Sequence, residues 1–290
     1  MSETSVRVRG LRKTYRGLAA VDGVDLDIMK GEVFALLGPN GAGKTTTVEV
    51  LEGYRQRDGG EVSVLGTDPA RGGRQWRSRI GIVLQSSSDV AELTVREVVR
   101  HFANYYSSPA DPDEVIESVG LTDKSGAKVV QLSGGQRRRV DVALGIIGRP
   151  DLLFLDEPTT GFDPQARRQF WGLIKDLAGA GTTILLTTHY LDEAEALADR
   201  VAVIAAGRIR AVAAPAELGG RATARATVTW RSPEGHRSVE TDSPTEVVRD
   251  LAGRFGGEVP ELTVTRPTLE DTYLQMIGRA QLGEYQGGRS

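Results

Sequence analysis

The residues best suited to chemistry begin with Gly38-Pro39-Asn40-Gly41-Ala42-Gly43-Lys44-Thr45, which fits the pattern G-x-x-x-x-G-K-[ST] in full. Glycines at those positions let backbone N–H groups curl round phosphate oxygens, Lys44 reaches the outer phosphates, and the Thr45 hydroxyl, followed by Thr46, is placed to ligate Mg²⁺. The motif lies between an apolar run at 32–37 and a helical pattern at 45–52, the context such a loop requires. A plain glycine-rich turn is the bland alternative, and that placement argues against it.

Three other apolar runs end in residues that can touch a nucleotide. Residues 80–84 end at Gln85, 152–155 at Asp156-Glu157, and 183–188 at His189. Singly, a glutamine is an ordinary surface residue, a histidine more often structural, and two adjacent acids usually a cap. In an open parallel sheet, however, ligands bind outside the carboxyl ends of strands, so four such ends converge on one place. Asp156 would hold Mg²⁺ through water, because that ion keeps much of its hydration shell. Glu157 can take a proton from the attacking water as general base. His189 could hydrogen-bond the γ-phosphate or that water. Gln85 could contact the metal or water and report occupancy to the segment that begins just after it. In-line attack on a γ-phosphate asks for positioning and charge neutralisation more than covalent chemistry.

The framework carrying these groups can be read from pattern. Runs at 32–37, 80–84, 152–155, 183–186 and 201–204 are short and apolar without two-residue alternation, as expected of parallel strands covered on both faces. Helical patterns at 45–52 and 170–177 separate some of them, which predicts a mainly parallel α/β sheet. Residues 85–150 carry no strong strand signal and read as a helical insertion. Within it Val95, Val98, Val99, Phe102 and Tyr105 share one helical face. Pro112 opens a further helix, with Asp111 as cap and Asp113 and Glu114 at its positive end. Composition shifts near Ala213-Ala214-Pro215. Beyond it, 227–230, 238–241 and 262–265 look like short strands, 245–252 like a helix, and Thr268-Leu269-Glu270-Asp271 like the capped start of a last helix reaching Ile277.

Composition excludes several classes. The 290 residues carry 36 basic and 39 acidic side chains, a net charge of −3, so a general nucleic-acid grip is not expected. There is no cysteine, which rules out disulfides, thiol catalysis and Cys-based zinc sites. No apolar run approaches the roughly 18–20 residues of a spanning helix, and no signal peptide is visible after Met1. The tail from 211 onward has 9 basic and 11 acidic residues and is not an electrostatic arm.

Leu132-Ser133-Gly134-Gly135-Gln136 decides between readings. Ser133 caps a helix over 136–147, and Gly134 and Gly135 let phosphate oxygens approach bare backbone at a positive helix end. Alone it is an ordinary capped turn. About twenty residues before an Asp-Glu-Pro strand end and ninety after a phosphate loop, it resembles the ATP-binding-cassette (ABC) ATPase family, over residues 5 to about 210 and with every motif in family order. The resemblance matches Leu132–Gln136 to the signature, Gly38–Thr45 to Walker A, Leu152–Asp156 to Walker B, Gln85 to the Q-loop, Gly161-Phe162-Asp163 to the D-loop and His189 to the switch histidine. Tyr15 stands where the family stacks an aromatic on adenine, with a core role in a first strand as its alternative. Phe162 departs from the commoner leucine, which touches D-loop packing and not the chemistry.

That resemblance implies an α/β phosphate-loop NTPase cassette: a parallel-sheet core, an antiparallel β subdomain and a helical insertion at about 86–150. The cassette spans 5–212, a small α+β appendage 213–280 and a flexible tail 281–290. It implies ATP and Mg²⁺ as cofactors. It also implies a dimer, with a second copy or a paralogous cassette, in which ATP on one Walker A is closed over by the other's signature. Arg137-Arg138-Arg139 reads as a solvated face, with Arg137 paired to Asp141. The stretches 131–139 and 156–164, with the ending 266–274, resemble ATPases serving ABC-2-type exporters, the daunorubicin-resistance type among them. Expected, then, is ATP hydrolysis driving drug or antibiotic export, with lipid or polysaccharide export as the next cargo class. Separate transmembrane permease subunits would dock near 92–99 and hold the chain at the cytoplasmic face of the membrane. Soluble repair or translation ATPases, which carry long coiled coils or tandem cassettes, a phosphate-loop kinase, and an importer ATPase are the rivals.

Overall fold

The chain opens with two long strands, β1 (Thr4–Tyr15) and β2 (Leu18–Met29), paired antiparallel. Their turn is Arg16-Gly17, with φ of 47° and 86°, the two-residue geometry that matches strand twist. Tyr15 thus sits at a hairpin tip. This computed structural model describes residues 3–83 and 92–287, and the chain divides into two units, 1–212 and 213–290.

In the first unit β3 (Val33–Leu37) is buried along its whole length and runs into the glycine loop and α1 (Lys44–Leu51). Next, β4 (Gly59–Val64) returns to β1, closing a three-stranded antiparallel sheet of order β2-β1-β4. After α2 (Arg74–Arg77), whose Trp76 donates its indole N–H to the Val64 carbonyl at 2.9 Å, comes β5 (Ile80–Val83). Three helices come next: α3 (Val95–Ala103), α4 (Pro112–Ser118) and α5 (Gly134–Ile146). The remainder alternates β6 (Leu152–Asp156), α6 (Pro164–Gly179), β7 (Thr183–Thr188), α7 (Leu191–Leu197), β8 (Arg200–Ala205) and β9 (Arg208–Ala213). The second sheet has the order β5-β6-β7-β3-β8-β9 and is parallel from β5 to β8; β9 turns back through Ala206-Gly207, both at positive φ. One apolar core lies between the two sheets, joining Val6, Leu26 and Val62 to Phe34, Leu51, Phe154 and Ile204.

These observations bear out the expected α/β architecture. The insertion helices are capped as their sequences demand: Thr94 and Glu97 form a reciprocal capping box on α3, and Asp111 accepts the Asp113 and Glu114 N–H groups on α4. One expectation differs. Tyr105 does not share the buried face of Val95, Val98 and Val99, because α3 ends at Ala103; its ring is exposed and meets His101 and Phe102 edge-on. Gln85 and the end of the 80–84 run lie outside the described residues.

In the second unit β10 (Ala226–Ser232) is flanked by β11 (Gly235–Thr241) and β12 (Thr263–Thr265), all antiparallel. The helix α8 (Pro244–Phe255) packs its Leu251 with Val228 of β10 and with Val259. The last helix, α9 (Leu269–Gly287), begins at a Thr268–Asp271 reciprocal cap and continues past Ile277, its expected end, through a segment expected to be loose. Among the described residues no helix is long and apolar enough to cross a membrane.

The distance between α5 and the sheet is set by two glycines facing each other. A Cβ on Gly81 of β5 would lie 2.2 Å from the Gly145 carbonyl oxygen, and one on Gly145 would lie 2.8 Å from Val83 Cγ2. Gly81→Ala should therefore destabilise the fold by about 1–3 kcal/mol through overpacking. Gly126→Ala, where nothing lies within 4 Å, is the control. Urea midpoints that shift equally in the two variants would contradict this account of the helix–sheet approach.

Candidate active site

The site is assembled by register. Across the parallel pairs Leu37 stands level with Thr188, and Asp156 with Thr187. The loop after β3, the acids closing β6 and the histidine after β7 therefore emerge side by side. Thr187 binds them together: its hydroxyl donates to Asp156 Oδ1 at 2.5 Å, while its hydroxyl and carbonyl oxygens both accept the Glu157 N–H, at 3.1 and 3.2 Å.

Glycine is required in the loop. Gly41 and Gly43 have φ of +79° and +103°, and a Cβ on Gly43 would come within 2.4 Å of the Ala20 carbonyl oxygen. The loop wraps a cavity of about 270 Å³ that Tyr15, Lys44, Thr45, Thr46 and Glu157 help to line. Lys44 is only 5% exposed; its Nζ donates to the Gly38 and Pro39 carbonyls at 2.7 and 3.3 Å and lies 3.7 Å from Glu157 Oε1. Burial lowers the Lys44 pKa, and the charges of Glu157 and Asp156 oppose that shift. The second Glu157 oxygen, Oε2, lies 3.3 Å from His189 Nδ1. Glu157 itself has φ of +44°, a left-handed conformation that costs a non-glycine residue roughly 1–2 kcal/mol. That conformation sets the carboxylate between the Lys44 ammonium and the His189 ring.

The residues present fit a nucleotide and its metal. The Lys44 ammonium rests on backbone carbonyls that phosphate oxygens can replace, and Thr45 follows it in the first turn of α1. Among the described residues no group of three or more His, Asp and Glu could cage a cation.

Not every expected residue gathers here. Ser133, Gly134, Gly135 and Gln136 do not line this cavity. Ser133 accepts the Gln136 N–H at 3.2 Å and donates its own N–H to Gln136 Oε1 at 3.0 Å, with Ser133 and Gly134 exposed at the start of α5. Gly134 instead borders a second cavity, of about 370 Å³, with Pro158, Gly161 and Phe162. The Asp163 carboxylate accepts the N–H groups of Gln165 and Ala166, both at 2.9 Å, as the cap of α6. Tyr15 is 37% exposed, not a core aromatic, and Arg55 lies over its ring at 5.2 Å.

The run Arg137-Arg138-Arg139 is not a solvated face. Arg138 is buried and ion-paired to Asp141 at 3.9 Å, the pairing expected of Arg137. Arg139 is half-buried and donates to the Val119 carbonyl at 2.9 Å. Burial lowers the pKa of both guanidinium groups. The signal was present in spacing, since Arg138, Val142 and Ile146 recur every four residues on the buried side of α5. Glu193 also escapes a reading by motif. It is fully buried on α7, four residues after His189, and accepts from the Thr159 hydroxyl at 2.8 Å and the Trp171 indole at 3.4 Å.

A parallel sheet ending in a phosphate loop, with an acid pair and a histidine at adjacent strand ends, defines a phosphate-loop nucleotide hydrolase. The ABC transporter family model matches residues 21–160. The chain is 36% identical to a daunorubicin resistance ATP-binding protein of Streptomyces coeruleorubidus, over 96% of this chain and 97% of that one. It is 37% identical to Nod factor export ATP-binding protein I of Burkholderia pseudomallei, over 97% and 100%. A solved ATP-binding subunit of an ABC transporter superposes with a TM-score of 0.66 at 26% identity, over 73% of this chain and 91% of that one. The chain belongs to the ABC transporter family, as an ATP-binding cassette and ATPase.

A buried carboxyl behind the loop has a measurable consequence. Glu52 caps the C-terminus of α1, and burial, with the charges of Asp156 and Glu49 adding, pushes its pKa from 4.5 up to about 8. The folded state keeps a proton that the unfolded chain releases above 4.5, so stability from this group is full below that value. It is lost as pH rises to about 8 and is level beyond. Relative to Glu52→Gln, the wild type should lose on the order of a few kcal/mol between pH 5 and 8, at about 1.4 kcal/mol per unit. Denaturant midpoints across that range check it, and parallel curves for the two proteins would refute it.

Proposed function

We propose that this chain hydrolyses ATP to drive export of a drug, antibiotic or other hydrophobic compound through separate transmembrane subunits of the ABC-2 type, at the cytoplasmic face of the membrane. The observation that carries the hydrolytic part is Glu157, whose two oxygens reach Lys44 on one side and His189 on the other. Export is supported by similarity along nearly the whole chain to a daunorubicin resistance ATP-binding protein. Comparable similarity to a Nod factor export protein favours a second cargo class, lipid or polysaccharide.

In this reading Gly38 to Thr46 cradle the phosphates through backbone N–H groups, Lys44 neutralises the outer ones, and Tyr15 at its hairpin tip stacks the adenine. Thr45 and Asp156 would hold Mg²⁺, with Gln85 a further ligand. When bound, that ion supplies charge neutralisation and alignment of the β- and γ-phosphates. Glu157 accepts the proton of the attacking water, and His189, 3.3 Å away, orients that water or the γ-phosphate. Residues 5–212 form the nucleotide-binding domain, 213–280 an accessory domain and 281–290 a tail.

The loop's side of the site, an open cavity of about 270 Å³, is read as one wall of two. The other wall is the exposed start of α5, with Ser133, Gly134, Gly135 and Gln136, and Asp163, from a second copy or a paralogous cassette. The membrane partner docks on the insertion near 92–99. No nucleic acid is required by this reading.

Glu157→Gln should lower turnover by about 10²–10⁴-fold, the range a general base contributes, while ATP binding persists and an ATP-loaded dimer accumulates on a sizing column. Lys44→Ala should instead weaken binding itself, and unchanged nucleotide affinity would count against the phosphate-loop assignment. Ser133→Arg should block hydrolysis yet leave monomer binding intact; loss of binding would exclude a signature acting across the dimer. Co-expression with the transmembrane protein that co-purifies with this chain should raise cellular resistance to the exported compound, and Glu157→Gln should erase that gain.

A further inference from the structure

Arg138 belongs to α5, the helix whose start carries Ser133 and Gly134, but its guanidinium reaches away into the loop after β6. It is 6% exposed. Its Nη2 donates to the Asp156 carbonyl at 2.7 Å and its Nε to the Pro158 carbonyl at 3.1 Å. Those carbonyls stand on either side of Glu157, the residue at φ +44°. On the far side the Glu157 N–H is held by Thr187, and the next loop residue, Thr159, is tied to Glu193. A left-handed residue returns readily to an ordinary conformation unless its neighbours are anchored, and such a return would swing its carboxylate away.

We propose that Arg138 is a positioning residue for hydrolysis within its own chain: by spanning the carbonyls of Asp156 and Pro158 it keeps Glu157 in the left-handed conformation that directs its carboxylate to Lys44 and His189. The inference rests on Glu157 being the general base. Its physical basis is the guanidinium fork, which presents two separated N–H prongs, where a lysine ammonium is a point charge on a flexible stem. It also gives α5 two tasks. The exposed end of the helix closes on a partner's nucleotide, while a side chain one turn further on aims the base of its own chain. Helix docking and base alignment are then one rigid-body event.

The test uses the full chain with its co-purifying transmembrane partner, measuring steady-state and single-turnover hydrolysis and ATP affinity. Arg138→Met should lower kcat about tenfold or more, part of what a general base contributes, with KM and nucleotide affinity within about twofold of wild type. Arg138→Lys, which keeps the charge, should fall between the two and carries the test if the Met variant does not fold. In a Glu157→Gln background Arg138→Met should change the residual single-turnover rate by less than about twofold, because the residue acts only through that carboxylate. Full kcat in both Arg138 variants, a loss confined to KM, or the same fold-loss with and without Glu157 overturns the proposal while leaving the base assignment standing. Wild-type turnover by Glu157→Gln alone overturns the base assignment, and this inference with it.

Discussion

The pairing register of the parallel strands is the constraint on which the active site depends. With Leu37 opposite Thr188 and Asp156 opposite Thr187, three strand ends terminate at one level, so a glycine loop, an acid pair and a histidine far apart in the chain share a few ångströms. Backbone hydrogen bonding sets that register, and buried apolar side chains on both faces lock it, because a slip would exchange every side chain between faces. The antiparallel sheet adds a hairpin whose turn carries Tyr15 to the mouth of the same loop.

Charge at this level is held in balance. Asp156 and Glu157 would repel one another and an incoming triphosphate in a medium of low dielectric. The buried Lys44 and the Thr187 hydroxyl offset part of that, and Glu52, neutral at pH 7 because burial raises its pKa to about 8, withholds a further negative charge. The positive φ of Glu157 is stabilised from outside the residue: Thr187 holds its N–H, Arg138 its neighbouring carbonyls, and Glu193 the threonine two positions on. Contacts from α5, β7 and α7 thus meet on one short loop. A change in any of these elements reaches the carboxylate without passing through the nucleotide.

Much of the fold and half of the site could be read directly. Unbroken apolar runs such as 33–37 suit strands covered on both faces, and Asp111 ahead of Pro112 admits little besides a helix start. The phosphate loop is legible because its chemistry is local: eight consecutive residues hold both the glycines and the lysine. Pattern misplaces Tyr105 because a helical period continues on paper past the residue where α3 ends, at Ala103. It misreads the arginine run because a charge series resembles a solvated face until something buries its middle member.

Local pattern by itself therefore determined the parallel strands, several of the helices, the caps of α4 and α9, the glycine cradle and which polar residues close the strands, since each depends on neighbours within about one turn or one strand. Only the packed chain could show that Arg138 bridges the carbonyls either side of Glu157, that burial raises the Glu52 pKa to about 8, and that Glu193 anchors Thr159. Those facts depend on which surfaces become dry and on hydrogen bonds between residues 18 to 34 apart in the chain, and burial of that kind is a property of the whole packed interior.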